Sequence, residues 1–197
     1  MRRALLVFVL TLCAAGWSAA PGATAHAKQR ASQRVTGTVY GFGGRGSGRA
    51  YSLPFTLIVN NYSSADDASR LAGAAGSQDE LLSALSRMDA GRIAVGNNVG
   101  VKANAVFASP TAEGGTKLTV LFERNVNFFE LRYGTRSSDY RFGYAEIYLD
   151  RAGRGQGTFI PAAKVKVSGN NWEVEDFGIY PARLMGLRST GSVGGAR

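Results

Sequence analysis

Three glutamates, Glu123, Glu130 and Glu146, interrupt apolar runs that have the composition of β-strands. Two carboxyl groups that face each other across a cleft can cleave a glycosidic bond, one as the acid and the other as the nucleophile or base. This chemistry needs neither histidine nor cysteine. The simpler interpretation is structural, because strand glutamates commonly pair with basic residues across a sheet, and Arg124 and Arg132 are close by in sequence. The sequence therefore keeps a small secreted carboxylate-dependent hydrolase, similar to a glycosidase, as an alternative function.

A second acidic group consists of Glu173, Glu175 and Asp176, three carboxylates within four residues. Oxygen ligands of this kind suit a hard cation such as Ca²⁺. On a strand, Glu173 and Glu175 would share one face, and their charges would also protect an exposed sheet edge from pairing with another chain. Because the edge-strand interpretation is the more common one, the sequence predicts no metal site and keeps these three residues as an alternative.

The polar segment 134–141 lies between two predicted strands and could present a binding edge. Functional residues concentrate on loops that a rigid scaffold holds in place. Tyrosine and arginine side chains there and nearby could stack on sugar rings or bases, although aromatic rings also pack in protein cores. The predicted ligand or partner surface comprises Tyr133, Arg136, Asp139, Tyr140, Arg141 and Tyr144.

Residues 1–27 have the three parts of a secretory signal peptide. Two arginines follow the initial methionine, residues 4–15 form an apolar run too short to span a bilayer, and Ala25-His26-Ala27 is a small-residue cleavage signature. We expect the mature chain, residues 28–197, to be secreted or periplasmic and to contain no transmembrane segment.

The only cysteine, Cys13, and the only histidine, His26, both lie in the predicted signal peptide. A mature chain that lacks both residues has no disulfide of its own, no Cys/His zinc site and no Ser-His-Asp or Cys-His catalytic group. A match to Gly-x-Gly-x-x-Gly at residues 41–46 leads into a predicted strand, whereas a dinucleotide fingerprint opens a helix. The sequence therefore predicts no cofactor.

The chain is basic, with 23 Lys and Arg against 14 Asp and Glu and a formal net charge of +9. Cleavage after residue 27 would leave +7, because Arg2 and Arg3 are the only charged residues removed. The basic residues are scattered along the sequence, and no run of the nucleic-acid-binding type is present. A basic exported protein favours anionic partners. We therefore expect an anionic polymer of the cell envelope, or a protein, as the partner, and secretion argues against nucleic acid.

The periodicity of the chain predicts fold class α+β: a mostly antiparallel β-sheet or open barrel of about nine strands with an inserted helix pair. The helices follow the second strand, and Ser64 and Ser77 are their predicted N-caps, with Ser77 and Glu80 forming a capping box. Connections of hairpin length favour antiparallel pairing. Strands at 118–124, 127–133 and 142–149 are expected to form the middle of the sheet.

A single domain is predicted over residues 35–188. Polar residues at 28–34 and Gly/Ser-rich residues at 189–197 predict a disordered tail at each end of that domain.

The runs FFELRYGTRSSDYRFGYAEIYLD, GTFIPAAKVKV and WEVEDFG resemble sequences of small secreted bacterial proteins of unknown function. The resemblance covers residues 35–188 and implies export, but it brings no catalytic residue and no ligand. The export signal, the charge and the missing catalytic residue types together indicate an exported, non-enzymatic protein that binds an anionic or sugar-like envelope component or another protein. Besides the hydrolase, a structural domain with no ligand remains an alternative.

Overall fold

The computed structural model describes residues 30–42, 50–124, 139–168, 171–176 and 181–191, and their side chains except at 30–32, 42, 167, 168, 171 and 176. Its elements in chain order are β1 (Arg30–Phe42), β2 (Ala50–Asn61), α1 (Ala65–Ala74), α2 (Gln78–Ser86), β3 (Gly91–Val95), β4 (Val101–Ala103), β5 (Ala105–Pro110), β6 (Thr116–Glu123), β7 (Phe142–Leu149), β8 (Arg154–Ser168), β9 (Asn171–Asp176) and β10 (Ala182–Thr190). None of the helices in these ranges has the length and apolar character of a membrane-spanning helix.

The described strands form one antiparallel sheet in the order β4-β3-β2-β1-β10-β8-β7-β6-β5, and β9 pairs with β8 outside this path. The two ends of the order, β4 and β5, adjoin in the chain and are separated only by Asn104. One bent segment therefore joins the two ends of the sheet, and the sheet curls into a nearly closed barrel. This confirms the predicted α+β class, the antiparallel pairing and the helix pair inserted after the second strand.

Alternation along the strands fills the barrel with apolar side chains. Val35, Leu57, Val120 and Ile147 come from four different strands, and each is fully buried in this interior cluster. A second cluster lies outside the barrel wall, where α1 and α2 pack on β5 to β8 through Leu71, Leu81 and Leu85 of the helices and Leu121, Phe142 and Tyr144 of the sheet. The wall is thus covered by helices on one side of the barrel, and on that side both faces of the strands are buried.

The capping of the helices differs in part from the prediction. Ser64 is the N-cap of α1 and forms a capping box with Asp67, in which the Asp67 amide donates to Ser64 Oγ and the Ser64 amide donates to Asp67 Oδ2. The capping box predicted at Ser77 was wrong, because Ser77 makes no side-chain capping hydrogen bond. The start of α2 is held instead by Gln78, whose Nε2 donates to the Val165 carbonyl at 2.7 Å.

The tail boundaries also shift. β1 begins at Arg30 and β10 ends at Thr190, so both strands run into the segments predicted to be tails. The fully buried Gln33 side chain explains part of this, since it accepts a hydrogen bond from the Tyr62 hydroxyl and donates to Ser189 Oγ at 2.7 Å. A buried amide is stable only when its hydrogen bonds are satisfied, which fixes both strand ends in the fold.

Candidate functional site

The predicted glutamates are separated by the register of the sheet. Glu146 on β7 pairs with Thr119 on β6, whereas Glu123 lies four residues further along β6, about 13 Å away at the usual rise per residue. The Glu123 side chain is exposed. Glu130 lies outside the described residues, so a pair formed by Glu130 and another glutamate stays a prediction.

Glu146 is the centre of a polar cluster on the outer face of β7. Its Oε2 accepts hydrogen bonds from Tyr144 Oη at 2.7 Å and Lys117 Nζ at 2.7 Å, and its Oε1 accepts one from Tyr148 Oη at 2.5 Å. The Lys117 ammonium also lies 5.5 Å from the centre of the Tyr148 ring. One carboxylate therefore holds three donors on two neighbouring strands.

These contacts set the ionisation of the cluster. Burial alone would raise the pKa of Glu146, but the hydrogen bonds from Lys117, Tyr148 and Tyr144 outweigh burial and lower it. Burial and the hydrogen bond to the carboxylate raise the pKa of Tyr144. Glu146 is thus an ionised acceptor whose oxygens are occupied, an arrangement poorly suited to a general acid or a nucleophile.

We predict that the Glu146 cluster contributes pH-dependent stability. Because the folded-state pKa of Glu146 is lowered, its contribution is present above the ordinary glutamate pKa and is lost as the pH falls through the folded-state value. Glu146→Gln should lower the free energy of unfolding by about 1 kcal/mol at pH 7, and the difference from the unchanged protein should shrink toward pH 4. Urea denaturation at several pH values measures this. Glu113→Gln in the exposed β5–β6 turn is the control, and an equal loss at pH 7 and pH 4 would contradict the prediction.

The predicted ligand surface is split by the fold. Tyr140 and Tyr144 are buried, and the Tyr140 hydroxyl donates to Glu175 Oε1 at 2.7 Å while Lys164 Nζ lies 4.7 Å from the Tyr140 ring centre. Arg141 is half-buried and forms an ion pair with Asp79 of α2 at 2.6 Å. Asp139 is exposed, and Tyr133 and Arg136 lie outside the described residues.

The acidic residues of β9 face lysines. Glu173 and Glu175 are exposed, and the register places them opposite Lys166 and Lys164 of β8. The side chain of Asp176 is not among those described. Within the described ranges, no group of three or more His, Cys, Asp or Glu side chains is arranged to hold a metal ion.

A different surface collects positive charge on the side of the barrel away from the helices. We call it the basic face and define it by six exposed cations on the outer side of five strands: Lys102 (β4), Arg92 (β3), Arg34 (β1), Arg183 and Arg188 (β10) and Arg154 (β8). β2, which carries no cation, lies between β3 and β1. Each cation alternates with an inward-facing neighbour in its strand, as Arg34 does with the buried Val35.

The basic face has no counter-charge in its own strands. The sequences of β4, β3, β2, β1, β10 and β8 contain no Asp or Glu. Within the described part of the chain, Arg154 is the one cation of the face with an ion pair, to Asp150 at 3.4 Å in the adjoining turn. The Arg92 guanidinium is positioned by main-chain carbonyls, with Nη1 donating to Val99 O at 3.3 Å.

On this face, two pairs of positively charged residues lie directly opposite each other across neighbouring strands. The register pairs Arg92 with Lys102 and Arg188 with Arg154. Like charges in such positions destabilise a sheet, and a sheet stabilised only for folding would place an acid at one of each pair. Asp150 partly neutralises the second pair through Arg154, whereas Arg92 and Lys102 have no ion pair within the described residues.

An aromatic side chain and several hydroxyls complete the basic face. Tyr40 is 46% exposed and pairs with Arg183, and Met185 is 47% exposed and pairs with Thr38. Thr36 and Thr56 lie on the same outer side. Cations, hydroxyls and one open aromatic ring together could bind a sugar that carries negative charge.

The basic residues that form this surface were missed by reasoning from the sequence, which treated the cations as scattered. Residues 34 and 188 become neighbours only because β1 pairs with β10. The available signal was indirect: strand-like segments with a basic residue and no acid recur along the whole chain.

Comparison with protein-family models, with curated proteins and with solved structures gave no match to this chain.

Proposed function

We propose that this is an exported, non-enzymatic protein that binds an anionic component of the cell envelope through the basic face. The observation that carries the proposal is the set of six exposed cations on neighbouring strands that contain no acidic residue. The signal-peptide pattern and the absence of Cys and His after residue 27 support an exported protein without the common catalytic groups.

The six cations of the basic face should affect both the rate at which an anion associates with the protein and the affinity with which it binds. Closely spaced cations raise the local concentration of anions and speed their association. Since the cations are exposed, salt should weaken binding strongly, with a screening length of about 8 Å at physiological ionic strength. Hydroxyls of Thr36 and Thr56 and the ring of Tyr40 add contacts that are suited to a sugar rather than to a simple ion.

The proposal is tested by comparing two variants of the mature chain that lose the same number of charges. Arg34→Gln, Arg92→Gln and Arg188→Gln are combined in the first variant, which removes three cations of the basic face. The control combines Arg70→Gln, Arg87→Gln and Lys166→Gln, which remove three exposed cations on α1, at the end of α2 and on the part of β8 that pairs with β9. Binding is measured on polygalacturonate, on phosphatidylglycerol vesicles and on neutral dextran at increasing salt.

We expect the unchanged chain to bind both anionic probes and not dextran. The face variant should lose at least tenfold in affinity, whereas the control should stay within about threefold, because screening confines each cation to its own neighbourhood. Equal losses in both variants would show an effect of net charge alone and would contradict a defined face. Absence of binding to either anionic probe would refute the proposed function.

A further inference from the structure

Five of the six cations of the basic face form a narrow band that runs across the strands. Lys102, Arg92 and Arg34 lie in one register row, since Lys102 pairs with Arg92, Arg92 with Ile58, and Ile58 with Arg34. The next row continues the band, because Thr36 pairs with Arg188 and Arg188 with Arg154. We call this band, formed by Lys102, Arg92, Arg34, Arg188 and Arg154, the basic track.

The dimensions of the basic track follow from sheet geometry. It crosses from β4 to β8 through β3, β2, β1 and β10, which is five spacings of about 4.8 Å, or roughly 24 Å along the backbone, and the path over the side-chain tips on the convex outside is longer. Its width is two register rows, about 7 Å at the usual rise per residue. A length more than three times the width matches a single extended chain better than a broad surface.

The curvature of the barrel separates two kinds of anionic partner. Because β4 and β5 are parts of one bent segment, the barrel wall has eight strand positions, and the track spans five of the eight spacings between them. The track therefore passes around more than half of the wall, and it does so obliquely, because barrel strands tilt relative to the axis. A flat membrane can touch only the cations of two or three neighbouring strands of such a convex wall.

We infer that the anionic partner is one flexible polysaccharide chain with carboxylate or sulfate groups, which lies along the basic track and bends around the barrel. This inference rests on the proposed function and adds the class of ligand and its path. Each guanidinium can hold a carboxylate or sulfate by two parallel hydrogen bonds, and the lysine at one end acts as a point charge. The hydroxyls of Thr36 and Thr56 lie beside the path and can bond to sugar hydroxyls between the charged groups.

The length of the ligand gives the first test. Size-fractionated oligogalacturonates are titrated against the mature chain, with phosphatidylglycerol vesicles measured in parallel. We expect affinity to rise with oligosaccharide length until the chain reaches from Lys102 at one end of the track to Arg154 at the other, and then to level off. Affinity that does not change with length would overturn the inference, and so would vesicle binding as tight as that of the longest oligosaccharide.

Variants at the two ends of the track give the second test. Lys102→Gln and Arg154→Gln, combined, remove the end cations on β4 and β8 and leave the middle of the track intact. Affinity for long oligosaccharides should fall about tenfold, and the salt dependence should become shallower. Affinity for the shortest fragments that bind should change less than threefold. A control with Arg87→Gln and Lys166→Gln, two exposed cations away from the track, should behave as the unchanged protein does.

The failure of this inference differs from the failure of the proposed function. If vesicles bind and only cations on two or three adjacent strands matter, the partner is a membrane surface, and the proposed function stands without the polysaccharide path. If the end variants lose short and long fragments alike, the ligand does not follow the track. If neither oligosaccharides nor vesicles bind, the proposed function itself fails.

Discussion

Asn104→Ala is expected to lower the free energy of unfolding by about 2–4 kcal/mol, since it removes three hydrogen bonds from a buried side chain to main-chain groups. The Asn104 side chain is buried, and its Nδ2 donates to Leu85 O at 3.1 Å and to Met88 O at 3.3 Å. Its Oδ1 accepts a hydrogen bond from the Glu123 amide at 2.9 Å. One amide thus connects the end of α2, the end of β6 and the bend between β4 and β5.

Because of the position of Asn104, the loss of stability should be larger than the loss caused by removing one ordinary hydrogen bond. It lies where the chain passes from one end of the sheet order to the other, so the closure of the barrel and the attachment of the helix pair both depend on it. An apolar replacement cannot donate to the Met88 carbonyl or accept from the Glu123 amide.

Urea denaturation measures the effect of Asn104→Ala through the shift of the midpoint at constant slope. Asn97→Ala, in the exposed β3–β4 turn, is the matched control and should change the stability by less than about 0.5 kcal/mol. Asn104→Asp keeps an acceptor for the Glu123 amide but loses both donors, so it should also destabilise. A loss below 1 kcal/mol for both Asn104 variants would show that the barrel closes without this amide.

The general architecture could be predicted because it is written in local patterns. Alternation of apolar and polar residues gave β7 its bounds, Phe142–Leu149, and Ser64 with two following aspartates marked the start of α1. These signals depend on residues within a few positions of one another. They predict elements and hairpins, and in this chain that was enough to predict the fold class.

The burial of side chains on the outer face of β7 could not be predicted from the local sequence pattern. One face of the strand is formed by the alternating residues Phe142, Tyr144, Glu146 and Tyr148. From the pattern alone, all four side chains would be expected to have the same surroundings. In the fold, the helix pair covers the first part of this face, and Phe142 and Tyr144 are buried there. Tyr148, near the other end of the strand, is 43% exposed. The boundary between the covered and the open part is set by where α1 and α2 pack, which no pattern within β7 contains.

The basic face was beyond prediction for a related reason. Its cations come from five strands, and the order β4-β3-β2-β1-β10-β8 brings the first and last parts of the domain together. Only the pairing of β1 with β10 places Arg34 near Arg188. The strong bias in charge between segments was present in the sequence, but its meaning depends on that pairing.

The like-charge pairs of the basic face lead to the second large effect, in which stability and affinity change in opposite directions. Combining Lys102→Glu with Arg188→Glu places an acid opposite Arg92 and another opposite Arg154. Each repulsive pair becomes an attractive one, so the free energy of unfolding should rise by about 1 kcal/mol in total. Affinity for long oligogalacturonates should fall about 100-fold, which corresponds to about 2.8 kcal/mol of binding free energy.

A variant that gains stability and loses affinity distinguishes a surface that serves binding from a surface that serves folding. If the cations stabilised the fold, their reversal would lower the unfolding midpoint, and weaker binding would follow from a damaged structure. The control, Arg70→Glu with Arg87→Glu, makes the same change in net charge outside the face and should keep its affinity within about threefold. A more stable double variant with unchanged affinity would contradict the basic face as the binding site. A more stable variant that no longer binds would support the basic face as the binding site. The repulsion between Arg92 and Lys102, and between Arg188 and Arg154, would then be tolerated because a bound anion supplies the charge that the strands lack.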